Sequence, residues 1–141
     1  MKTTRYFLIS SIAILLLVSF SACKKEAEPA AELSSRVVGN YTLTGIRQNG
    51  TLYTVNSKTV GKMNVVRESA TSVQLSVDVS NGNAAENIQF TANNVTLQEA
   101  GNNEVNLLKD NASFAKGGNN SLSIKVAPTD GSTPFELIGS K

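Results

Sequence analysis

The sequence predicts an all-β fold, an antiparallel meander of about eight to ten strands closing into a small barrel, with a β-sandwich as the alternative. From Val37 onward, apolar residues alternate with polar ones at the period of a half-buried strand, and no window sustains helical spacing. The stretches between these runs are short and rich in Asn and Gly, which leaves no room for the crossover helices of a parallel sheet. Each run has one apolar face, so a flat open sheet would leave that face in water and the sheet must close or fold over. Short hairpins throughout favour an up-and-down barrel, because a Greek-key sandwich needs long cross-connections.

The chain opens with Lys2 and Arg5, followed by the 14-residue run Phe7 to Phe20, which contains no charge, Gly or Pro. This is the order of the n-region and h-region of a secretory signal peptide. The run is shorter than the roughly 20 residues that span a bilayer as a helix, and it ends in Ser21 and Ala22 directly before the single Cys of the chain. Phe20-Ser21-Ala22-Cys23 resembles the lipobox of bacterial lipoproteins. The resemblance implies cleavage between Ala22 and Cys23 and lipidation of the Cys23 thiol, so residues 1–22 are expected to be a signal peptide. Each buried CH₂ contributes about 0.8 kcal/mol, so two or three acyl chains would hold the protein on a membrane without spanning it. Lys24-Lys25-Glu26 after the Cys lacks the Asp that retains many lipoproteins in the inner membrane. It looks like the start of outer-membrane lipoproteins of the Bacteroidetes type, which implies the outer membrane, with the surface-exposed leaflet as a further expectation.

Residues 23–36 are expected to be the lipidated Cys and a flexible tether. KKEAEPAAELSSR is rich in Ala, Glu, Lys and Ser and has little apolar surface to bury. Fully extended, it would reach about 40 Å at roughly 3.3 Å per residue. A short helix over Ala27 to Leu33 is the alternative.

Residues 37–141 are expected to be the β-barrel domain. Val73, Leu75, Val77 and Val79, interleaved with Gln74, Ser76 and Asp78, give the clearest strand. Shorter runs recur at Tyr41/Leu43, Tyr53/Val55, Met63/Val65, Ile88/Phe90/Ala92, Val95/Leu97, Val105/Leu107, Leu122/Ile124/Val126 and Phe135/Leu137, and Phe114 marks a weak tenth. Turn signals separate them at Asn49-Gly50, Asn56-Ser57-Lys58, Asn81-Gly82-Asn83, Asn93-Asn94, Gly101-Asn102-Asn103, Asp110-Asn111, Gly117 to Asn120 and Asp130-Gly131. Asn and Gly tolerate the positive φ of tight hairpin turns. Met63, Leu75, Phe90, Leu97, Ile124, Phe135 and Leu137 are the large side chains expected to fill the interior. The opening Gly39-Asn40-Tyr41-Thr42-Leu43-Thr44, the Asn-Gly hairpin and the meander to Phe135–Ile138 resemble the small lipocalin-like domains of bacterial lipoproteins, with Tyr41 where those domains carry Trp. The resemblance implies a barrel with room for an internal cavity and Tyr41 closing one end.

Composition narrows the chemistry. With no His and one Cys, the chain has no imidazole base, no Ser-His-Asp or Cys-His nucleophile, no internal disulfide and no CxxC pair. Neither a metal site nor a cofactor is expected. The remaining acid or base groups of the domain, Glu68, Asp78, Glu86, Glu99, Glu104, Asp110, Asp130 and Glu136, show no spacing that singles out a pair. Removing Lys2 and Arg5 from the 13 positive side chains leaves 11, which balances the 11 acidic ones. A balanced domain with no basic cluster has no footprint for nucleic acid. The expectation is a non-enzymatic, lipid-anchored envelope protein acting as a structural or interaction module, with its partners the membrane through Cys23 and an envelope protein. Binding of a small apolar or amphipathic ligand inside the barrel is the alternative.

Overall fold

In chain order, the computed structural model, which describes residues 32–82 and 87–141, has a short helix α1 (Leu33–Val37) and nine strands. These are β1 (Gly39–Gln48), β2 (Thr51–Thr54), β3 (Val60–Arg67), β4 (Ser72–Ser80), β5 (Ile88–Gly101), β6 (Glu104–Lys109), β7 (Ala112–Gly118), β8 (Ser121–Val126) and β9 (Phe135–Ser140). Strands β1, β3, β4, β5, β6, β7, β8 and β9 pair antiparallel in that order, and β9 returns to β1, so an eight-stranded barrel closes. β2 is an extra strand: it pairs with Gly45–Gln48 on the same edge of β1 whose Gly39–Thr42 half holds β3. Of the two predicted architectures, the barrel is the one formed.

The Asn content goes into the turns. Asn49-Gly50, Asn102-Asn103, Asp110-Asn111 and Asn119-Asn120 each join consecutive strands with positive φ at both residues, the type I′ geometry that matches the twist of a hairpin. Asn93-Asn94 behaves differently from expectation. It does not end a strand; the runs Ile88/Phe90/Ala92 and Val95/Leu97 are one strand, β5, with Asn94 at φ 53° and a register shift opposite Gln74. Asn suits a bulge for the same reason as a turn, its tolerance of positive φ. Three contacts pin the bulge: Gln74 Nε2 donates to Asn93 Oδ1 at 2.6 Å, Lys109 Nζ to the Asn93 carbonyl at 2.8 Å, and the Asn94 N–H to the Glu68 carboxylate at 3.0 Å. The weak run at Phe114 is a full strand, β7, whose inward positions are the small residues Ala115 and Gly117.

The register carries rows of inward side chains around the wall. One row runs Ile46, Leu137, Ile124, Ala115, Leu107, Leu97 across β1, β9, β8, β7, β6 and β5. It starts near the last residues of β1 and ends near the first residues of β4, where the Leu97 N–H donates to the Thr71 carbonyl at 2.8 Å, as the stagger of a closed barrel requires. A second row, Tyr41, Met63, Val77, Phe90, crosses β1, β3, β4 and β5. Met63, Leu75, Leu97, Ile124 and Leu137 are buried as predicted, whereas Phe90 and Phe135 are only half-buried.

Candidate functional site

A barrel of eight strands can be filled by its own side chains or hold one small ligand, so the interior is the first place to look for a site. Here it is occupied. Leu43, Met63, Leu75, Val77, Leu107, Leu122, Ile124 and Leu137 are all buried within one cluster. Two inward glycines show how tight the filling is. A Cβ built on Gly61 would stand 2.7 Å from Leu43 Cβ and 2.9 Å from Val79 Cγ2, and one on Gly139 would collide with the end of Met63 and lie 3.1 Å from the Thr42 carbonyl oxygen. The room these glycines create is taken by Leu43 and Met63.

Helix α1 closes one end. Leu33 and Val37 lie four residues apart and so share a face of the helix; Val37 is fully buried, and Leu33 packs against the core cluster. Val37 Cγ1 would meet a Cβ on Gly117 at 2.9 Å, so the β7 backbone lies directly beneath the helix. Four polar contacts fasten this plug to the rim: the Ser34 N–H to the Ala70 carbonyl at 3.2 Å, Arg67 to Glu32 at 2.6 Å, Arg36 to Glu99 at 2.6 Å, and the Tyr41 hydroxyl to the Val37 carbonyl at 2.6 Å. Tyr41 is buried, and burial pushes its phenol up to about 12. The Lys141 ammonium sits 5.0 Å from the Tyr41 ring centre and donates to the Val38 carbonyl at 2.7 Å. Tyr41 therefore stands at a closed end of the barrel, and residues 33–36, read from the sequence as the end of the tether, belong to the plug. The signal for it was the Leu33/Val37 spacing, too short on its own to predict a helix.

At the opposite end the described residues leave a cleft. Ile88, Val126 and Phe135, all half-buried inward positions, form the floor of a cleft of about 480 Å³ whose rim is Asn87, Pro128, Thr129, Asp130 and Ser132. Hydrogen bonds from the Ser132 side chain and backbone hold the Asp130 carboxyl below the usual carboxylate range, and the Ser132 N–H donates to Asp130 Oδ1 at 2.9 Å. The floor is apolar and, among the described residues of the rim, Asp130 carries the negative charge. A second groove, of about 400 Å³, lies on the outer face of β3, β4 and β5, where Lys62, Asp78 and Gln89 stand in one cross-strand row and Asn64, Ser76 and Thr91 in the next.

The carboxylates weighed from the sequence are dispersed. Glu99 holds Arg36, Glu104 holds Lys116 at 2.5 Å, Glu136 holds Arg47 at 2.6 Å and also accepts from Ser123, Glu68 holds the β5 bulge, and Asp110 occupies a turn. Among the described residues, no three His, Cys, Asp or Glu side chains gather into a cluster able to hold a metal ion, and no helix is long and apolar enough to cross a membrane. Ala22, Cys23 and Glu86 lie outside the described residues. Compared with protein-family models, curated proteins and solved structures, the chain finds no match in any of the three.

Proposed function

We propose that this protein is a lipid-anchored β-barrel of the cell envelope, attached through Cys23, that works through its outer surface as an interaction module and carries out no reaction of its own. The observation that carries this reading is the filled interior, in which inward glycines make room for core side chains and a helix plugs one end. A carrier of the lipocalin type stores its ligand in that space; here Met63, Leu43 and Leu107 occupy it. The run of apolar residues ending in Ala22-Cys23 supports the anchor and the outer membrane as its place. Two experiments test the two halves. Metabolic labelling with palmitate should mark the chain, and Cys23→Ser should remove the label and release the protein from the membrane fraction; a labelled, membrane-bound Cys23→Ser chain contradicts the anchor. Titration with the fluorescent fatty acid cis-parinaric acid and with a long-chain amine should give no saturable one-to-one binding, and saturable binding of either contradicts the interaction reading.

The cleft opposite the plug supports a second reading, binding of a small amphipathic molecule. Its apolar floor of Ile88, Val126 and Phe135 beside Asp130 would take an apolar body with a neutral or positive head. In that case parinaric acid, whose head is anionic, binds poorly and a long-chain amine binds well.

A further inference from the structure

Strand β2 departs from the polar character of the barrel's outside. Thr51–Thr54 is exposed at every residue and, among the described residues, pairs with β1 alone. Leu52 is 55% and Tyr53 57% exposed, and Val60, at the start of β3, is 59% exposed. Free edges are usually protected by charge, Pro, extreme shortness or a covering segment. Of these β2 has its shortness, four residues, but from Asn49 to Ser57 the chain has neither a charge nor a Pro.

The geometry says which backbone groups are free to pair. The two-residue turn Asn49-Gly50 closes on Gln48 and Thr51, a hydrogen-bonded pair, so Thr51 and Tyr53 turn their N–H and C=O towards β1. The same alternation continues at Val55, whose N–H reaches the Thr44 carbonyl at 3.4 Å. Leu52 and Thr54 therefore point their backbone groups outward, one on each side of Tyr53.

We propose that β2 is the contact strand of a homodimer, in which two copies pair β2 with β2 antiparallel about a two-fold axis at Tyr53. In that register Leu52 faces Thr54 of the second copy, both are hydrogen-bonding positions, and the two Tyr53 side chains stand opposite each other at the non-hydrogen-bonded position, where cross-strand side chains come closest. A second copy fits better than a charged partner for two reasons on this surface. The segment brings no like charges together when it meets itself, and it offers a charged strand nothing to pair with. A contact built on four residues is smaller than the roughly 1,200–2,000 Å² of a stable interface. It is therefore weak in dilute solution and forms where copies are held close together; for that concentration it rests on the anchored reading above.

Disulfide trapping tests this. At an antiparallel non-hydrogen-bonded pair the Cα atoms lie about 4.5 Å apart, within disulfide range. Under mild copper-phenanthroline oxidation, the Tyr53→Cys chain in its own membranes should shift to the mass of a covalent dimer, and Thr51→Cys, displaced from the axis, should not. The Cys23→Ser/Tyr53→Cys chain, which has no anchor, should shift only when concentrated. Thr54→Pro, which removes an outward N–H and no bond to β1, should abolish dimer trapping by Tyr53→Cys while the circular dichroism stays that of the barrel. Absence of dimer in both membrane and concentrated samples, equal trapping by Thr51→Cys, or trapping of a different protein overturns the proposal. Dimer in the concentrated sample but not in membranes upholds the pairing and contradicts the anchored reading instead.

Discussion

The Tyr41 hydroxyl donates to the Val37 carbonyl at 2.6 Å, tying the first barrel strand to the last residue of the helix that plugs it. A helix of one turn leaves its final carbonyls without partners inside the helix, and a buried one must be satisfied from elsewhere. Tyr41 supplies that partner from a position where its ring also lies under the Lys141 ammonium.

Tyr41→Phe should keep the packing and leave the Val37 carbonyl unpaired, destabilising the barrel by about 1–2 kcal/mol. The effect should depend on pH in one direction. Because burial raises the phenol to about 12, the folded chain keeps it protonated after the unfolded chain has begun to ionise near pH 10. The contribution of Tyr41 is therefore complete below about pH 10 and lost as the pH rises towards 12. Urea unfolding of the two proteins across pH 8 to about 12 should show a constant gap at the lower end that narrows at the upper end.

Gly61→Ala should destabilise although alanine suits a strand no worse than glycine. Its methyl would press on Leu43 and Val79, and overpacking of this kind costs about 1–3 kcal/mol. Thermal melting is the readout, and the double variant Gly61→Ala/Leu43→Ala should be less stable than Gly61→Ala alone, since alanine keeps the Leu43 Cβ, the nearest atom at 2.7 Å, and the change removes a large core side chain.

Met63→Ala should cost about 2–5 kcal/mol and leave a cavity above Gly139. Such a cavity is apolar and stays dry, so benzene or xenon should raise the melting temperature of the variant and leave the wild type unchanged.

Asn103→Ala should destabilise the β5–β6 hairpin by about 1 kcal/mol, because its φ of 63° is in the left-handed region, which Asn adopts more readily than Ala since its short polar side chain can hydrogen-bond locally. Asn103→Gly should be neutral or stabilising, and the pair of variants measured by urea unfolding separates backbone strain from loss of the side-chain amide, which approaches Asn119 at 3.4 Å.

Much of this architecture is legible in the residues. The alternation Val73 to Val79 and the Asn-rich pairs determine strands and type I′ hairpins, since period and positive φ are local properties. Strand β7 was faint because Ala115 and Gly117 face the interior, so the apolar signal vanished where the core needed small residues. The β5 bulge reads as a turn for a related reason: Asn93-Asn94 has the conformational freedom of both, and only the distant Glu68, Gln74 and Lys109 decide between them. The plug was hidden because α1 depends on tertiary contacts to Arg67, Ala70 and Glu99, which no helical period announces. The large side chains expected to fill the interior do so except Phe90 and Phe135, whereas the pairing of Gly61 with Leu43 and of Gly139 with Met63 depends on strand register, which the residues alone do not give.

Native mass spectrometry of the chain purified from its own membranes bears most directly on the filled barrel. A single mass equal to the processed, acylated polypeptide, with no stoichiometric companion, is the result expected if core side chains occupy the interior. A retained adduct of one small molecule per chain, lost when the barrel unfolds, would contradict it and make the barrel a carrier.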